Sequence, residues 1–71
     1  MSHKEEMLLK AFNKVMSTKL ETLEIDRASL PEWDSMKHAE LIIQLQNTFK
    51  IRFKIADVLE INSLKDFLPL L

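Results

Sequence analysis

Not one of the 71 residues is glycine. Hairpins and left-handed turns draw heavily on glycine, because it alone reaches positive φ without a Cβ clash. A chain without it is pushed toward helices joined by loops, so we expect an all-α fold. Hydrophobic residues make up 46% and charged residues 30%, the balance of a globular domain rather than a disordered one. A core this small supplies roughly 3–5 kcal/mol of net stability. The expectation is one domain over 1–71 with no deep cleft, hence not an enzyme in its own right.

Local patterns place the helices. Ser2 and Glu5 fit a capping box. Met7, Leu8, Ala11, Phe12, Val15 and Met16 then recur at helical spacing and predict a first helix over about 3–17. Ser17 and Thr18 weaken its end, since both compete for backbone hydrogen bonds. Residues 18–34 read as a long connection whose Leu20, Leu23, Ile25 and Leu30 pack across the helices, with Pro31 marking the approach to the next element. Asp34 is a good N-cap. Met36, Ala39, Ile42, Ile43 and Phe49, widened by Leu41 and Leu45, predict a second helix over about 35–49.

The segment KIRFKI, residues 50–55, alternates like a strand. No second strand is evident to satisfy its backbone, so it reads as an extended loop pinned by Ile51, Phe53 and Ile55. A short third helix is expected over 56–60, closed by Asn62 in the left-handed conformation. Ser63 and Asp66 suggest another capping box ahead of Leu64, Phe67 and Leu68, with Pro69 ending the last helix. The sum is a small four-helix bundle with a long loop between helices 1 and 2 and a short helix 3.

Several function classes recede. There is no cysteine, which removes disulfides, thiolate metal sites and a cysteine nucleophile, and no metal site is expected. No apolar run nears the roughly 20 residues needed to span a bilayer, and MSHKEEMLLK lacks a secretory signal. A cytoplasmic protein is expected. Net charge is −1, which argues against nucleic acid as a partner. Lys37, Lys50, Arg52 and Lys54 against Glu40 make residues 35–54 locally basic, too thin a footprint for a DNA-binding helix.

Asp34-Ser35-Met36 followed by Glu40, Leu41 and Ile42 resembles the phosphopantetheine attachment motif of acyl carrier proteins, D-S-L-x-x-x-E-L. Leu45, Phe49, Ile61 and Leu64 fall at apolar positions of that family, and the W-D-S-M-x-H form at Trp33 to His38 resembles stand-alone carriers of specialised-metabolite or cell-envelope pathways. The resemblance covers nearly the whole chain. It implies the bundle of the acyl-carrier type. It also implies a 4′-phosphopantetheine arm attached covalently to Ser35 by a phosphopantetheinyl transferase. The arm's thiol would carry an acyl or aminoacyl group as a thioester. The implied partners are that transferase, an acyl- or aminoacyl-loading ligase, and downstream transferases or synthases of the fatty acid or polyketide kind. A monomer is implied as well.

The resemblance gives Asp34 and Met36 places beside the cofactor. It puts Met36, Lys37, His38, Glu40 and Ile43 on a partner-binding face along the second helix. Without it, Asp34 and Ser35 are an ordinary helix cap, Met36 a core methionine and Glu40 a solvated acid. Ser35 and His38 share one side of the helix, yet no third group orients the histidine, so a nucleophile–base pair is set aside. His38 is expected at the surface, contacting the arm or a partner, and His3 in a solvated terminus. Trp33 is expected to anchor its loop. Gln46, Asn47 and Thr48, followed by Lys50, Arg52 and Lys54, replace the acidic cluster many carriers have here. That argues against the general fatty-acid carrier. Lys50 stands where relatives often have glycine, and a positive φ there costs of order 1 kcal/mol. The alternative is a carrier-like protein-interaction module that is never modified.

Overall fold

The computed structural model describes residues 2–71. Helix α1 spans His3–Met16. Its capping box is closed on both sides: Ser2 N donates to Glu5 Oε1 at 2.8 Å and Glu5 N to Ser2 Oγ at 3.2 Å. The helix stops at Ser17, which lies in the left-handed region at φ 58°. Asn13 organises the exit. Its Oδ1 accepts from Thr18 Oγ1 and Leu20 N, and its Nδ2 donates to Leu20 O.

Helix α2, Ser35–Phe49, is capped by Asp34, whose Oδ1 accepts from Lys37 N at 2.9 Å. It ends on Lys50, also left-handed at φ 56°. A Cβ in that region costs about 1–2 kcal/mol. Lys50→Gly is therefore expected to raise the unfolding free energy by about 0.5–1 kcal/mol, net of glycine's extra unfolded-state freedom. Urea unfolding of the variant checks this, and an unchanged or lower midpoint would contradict it.

Helices α1 and α2 pack on each other and run antiparallel. Lys37 Nζ, near the start of α2, donates to Val15 O near the end of α1 at 3.3 Å, where a cation favours the helix dipole. The core is built from Leu8, Phe12, Leu41, Leu45, Leu64 and Phe67, all fully buried, with Trp33, Leu23 and Ile61 around them. The inward stripe of α2 is His38, Leu41 and Leu45, flanked by Ile42 and Phe49. This corrects the stripe expected from apolar spacing alone: Met36, Ala39 and Ile43 are exposed. Apolar residues lie on both sides of α2, and burial followed the face on which Leu41 and Leu45 align with the ring of His38.

The long connection carries one 3-10 turn, Arg27–Ser29. It is stitched to the C-terminal segment by an isolated antiparallel bridge between Asp26 and Ser63: Arg27 N donates to Asn62 O at 2.8 Å and Leu64 N to Ile25 O at 3.0 Å. Residues 51–54 belong to no helix and pair with no strand, as the lack of a partner strand implies. Gln46 Oε1 supports them by accepting from Phe53 N at 3.0 Å. Phe53 pins the segment to the core; Ile51 is half-buried without joining the core cluster, and Ile55 does not pin it either. It opens helix α3, Ile55–Leu59, and is 76% exposed.

Helix α3 closes at Glu60, with φ −91°, and not at a left-handed Asn62. Asn62 keeps a negative φ; its carbonyl accepts from Arg27 N and its own N–H donates to Asp66 Oδ2. The last element, Leu64–Leu70, is a 3-10 helix that contains Pro69 rather than stopping before it. Proline brings no N–H, and the tighter helix continues with Leu71 N bonded to Leu68 O. Among the described residues the fold is all-helical, with four helices, one 3-10 turn and no strand. Among the described residues no helix is long and apolar enough to cross a membrane.

Candidate functional site

Ser35 is the first residue of α2 and is exposed. The capping role falls to Asp34, so the serine hydroxyl is not needed for it. The amides of Ser35 and Met36 lie in the first turn, where no intrahelical carbonyl reaches them. Met36 is 72% exposed beside the serine. Ile43, two turns further along, is 58% exposed on the same face. Glu40 lies between them and pairs with Lys37, Nζ to Oε2 at 3.4 Å. Both side chains are well solvated, so the pair is worth about 0–1 kcal/mol.

His38 is not on this face. It is 6% exposed and sits in the core, which corrects the expected surface position. Its ring lies between Trp33 and Phe67, with centroids at 5.9 and 6.2 Å. Trp33 Nε1 donates to His38 Nδ1 at 2.9 Å, and His38 Nε2 lies 2.9 Å from Val58 O. An indole N–H only donates. Nδ1 must therefore be the bare acceptor, and Nε2 carries the proton that it donates to Val58 O. Burial holds the imidazole below its usual titration range. The Val58 carbonyl opposes that shift and the Arg27 charge adds to it.

With both ring nitrogens committed, His38 has none left to take a proton from Ser35. Its physical role is to join three parts: the loop before Ser35 through Trp33, helix α2, and the end of helix α3 through Val58. Trp33 in turn sets its ring edge-on to Phe12 of α1, with centroids 5.1 Å apart and planes at 72°. The loop that delivers Ser35 is thereby anchored to three helices.

The arrangement thus brings Ser35, Asp34, Met36, Glu40 and Ile43 to the outer side of α2, puts Lys37 on its flank and removes His38 to the interior. Two further exposed apolar residues lie on α3: Ile55, and Leu59 at 71% exposure. Their four-residue spacing puts them on one side of that helix while Val58 turns inward. That spacing was available in IADVL, but KIRFKI had already claimed Ile55 for the loop pattern. Two surface depressions lie elsewhere. One of about 490 Å³ runs along α1 past Met7, Leu9 and Leu20, and one of about 410 Å³ lies between α1 and α2 near Lys10, Lys14 and Thr48. Comparison of the chain with protein-family models, with curated proteins and with solved structures finds no match.

Proposed function

We propose that the chain is a discrete carrier protein of the acyl-carrier type, a cytoplasmic monomer that holds an acyl or aminoacyl group on a 4′-phosphopantetheine arm at Ser35. One observation carries this reading: an exposed serine opens a helix that a different residue caps, in the middle of a small helical bundle, beside an exposed methionine. A serine with no structural duty at that place is available to be modified. The open amides of Ser35 and Met36 and the positive end of the α2 dipole suit a phosphodiester, by roughly 0.3–1 kcal/mol at an exposed site. When attached, the arm supplies the thiol that this cysteine-free chain lacks.

The chain's own residues do the rest. Asp34 fixes the start of α2, and Trp33 fixes the loop before it. Met36, Glu40 and Ile43 form the surface that a transferase, a loading ligase and downstream synthases would meet, with Lys37 at its flank. The bundle brings no base to Ser35, so the transferase must activate the hydroxyl.

Incubation with coenzyme A and a broad-specificity phosphopantetheinyl transferase tests this by intact mass. Wild type is expected to gain one phosphopantetheinyl group. Ser35→Ala is expected to keep the wild-type circular dichroism spectrum and gain nothing. A folded wild-type protein that stays unmodified with several competent transferases would sink the carrier reading. It would leave the exposed Met36, Ile43, Ile55 and Leu59 as the surface of an unmodified interaction module.

A further inference from the structure

Three exposed cations follow α2 in quick succession. Lys50, Arg52 and Lys54 alternate with Ile51 and Phe53, which are half-buried. The segment does not hang free. Gln46 holds it at three points: its carbonyl accepts from Lys50 N and from Ile51 N, and its Oε1 accepts from Phe53 N. The Phe53 ring packs against Phe67, with centroids 5.7 Å apart. With Phe53 turned to the core, Arg52 and Lys54 on either side of it are left in solvent. Among the described residues the one ion pair is Lys37 with Glu40, so none of these three cations is matched by an acid within the fold.

The same segment leads straight into an apolar pair. Ile55 follows Lys54, and Leu59 lies one turn further along α3 on the same side. Both are largely exposed. From Lys50 to Ile55 the chain covers at most about 18 Å, so the charges and the apolar pair fall within the footprint of one partner.

We propose that Arg52, Lys54, Ile55 and Leu59, with Lys50 at the margin, form a docking surface for an acidic partner protein. The partner seats an apolar side chain on Ile55 and Leu59 and sets carboxylates against the cations. This surface is distinct from the α2 face around Ser35 and does not depend on modification of that serine. The planar fork of Arg52 matches a carboxylate bidentately. The charges govern encounter rate and choice of partner more than raw affinity, and a patch of this size suits a weak, transient contact.

The neighbouring acids decide which kind of anion fits. Asp57 and Glu60 are exposed on α3 itself. Asp57 is two residues from both Ile55 and Leu59, hence on the other side of the helix. An anionic membrane or a nucleic-acid backbone is negative throughout and would meet these acids along with the cations. A protein surface places its carboxylates singly, opposite Arg52 and Lys54, and leaves Asp57 and Glu60 uncovered. Phosphates, moreover, offer no seat for Ile55 and Leu59.

The probe is a helical peptide with leucines along one face and glutamates flanking them, beside a counterpart in which lysine replaces every glutamate. NMR titration of the isotope-labelled protein with the acidic peptide is expected to shift amides of residues 50–60 and leave those of α1 unmoved. Added salt should weaken the complex. Arg52→Glu with Lys54→Glu should lower the affinity about tenfold, because like charges then face each other. Leu59→Ser should lower it about tenfold by removing the apolar seat. All three side chains are exposed and Lys54 makes no capping bond, so both variants are expected to keep the wild-type circular dichroism spectrum. Ser35→Ala should bind as wild type does, which keeps this outcome separate from the carrier reading. No shifts at millimolar acidic peptide would overturn the proposal. So would equal shifts from the lysine peptide, or undiminished binding by the folded charge-reversed variant. Comparable affinity for phosphatidylglycerol vesicles or for a DNA duplex would also overturn it, by making the patch a general polyanion site.

Discussion

Phe12→Ala is expected to leave the protein largely unfolded at 25 °C. Phe12 is fully buried on α1 and packs edge-on to Trp33. Truncating a buried phenylalanine costs about 3–5 kcal/mol through lost transfer energy and the cavity left behind. A core of this size gives roughly 3–5 kcal/mol in total. The two figures are equal, so no margin is left. The site is also poorly placed to collapse, because it joins α1 to the 30–34 loop. Circular dichroism and an amide NMR spectrum read the result directly. Ile43→Ala is the control: its side chain is exposed on α2, and a surface change of this kind stays within about 0.5 kcal/mol. A cooperative, near-native melt for Phe12→Ala would show that the core lies elsewhere.

His38→Leu is expected to cost about 1–3 kcal/mol, although leucine fits an apolar site better than histidine does. The substitution orphans the buried Trp33 Nε1–H, at about 1–3 kcal/mol, and takes the histidine donor from Val58 O, which keeps its bond from Ile61 N at 3.4 Å. The double variant Trp33→Phe with His38→Leu removes donor and acceptor together, and Val58 O keeps its bond from Ile61 N. Its loss is expected to be smaller than the sum of the two single losses, a coupling that a double-mutant cycle in urea measures. Additive losses would mean that the indole–imidazole bond contributes nothing beyond packing. The same cycle separates a structural histidine from a surface one, since a solvated His38 would tolerate leucine with little change.

Sequence pattern was enough for α2. Asp34 as cap and the run to Phe49 gave both ends, and the capping box at Ser2 and Glu5 gave the start of α1. The unpaired KIRFKI segment was legible through backbone accounting: alternation without a partner strand leaves donors unsatisfied. The miss at His38 has a clear cause. Apolar periodicity counts hydrophobic residues, and histidine was not counted. Yet positions 38, 41 and 45 keep the three- and four-residue spacing of a buried stripe. Trp33, five residues upstream, needs an acceptor for its indole once its ring is buried. Those two facts together point inward. The other half of the arrangement, Val58 O, was not legible, because a backbone carbonyl carries no residue signature. Asn62 misled for a similar reason. Its tolerance of positive φ is a local property, and a bond from Arg27, thirty-five positions away, decided its conformation instead. At the candidate site the place of Ser35 follows from the legible helix start, whereas Met36 and Ile43 turn outward against the stripe that apolar spacing alone predicts.

Ser17 and Lys50 hold backbone conformations that glycine would take at less cost. What they lose in the folded state is partly recovered in the unfolded one. A chain with a Cβ at every position explores fewer backbone states when unfolded, so folding surrenders less conformational entropy. The gain at any one position is modest, but it is collected along the whole chain, whereas the strain is confined to two helix ends. For a domain with so small an interior, a less disordered unfolded ensemble is a source of stability that no contact in the folded structure displays.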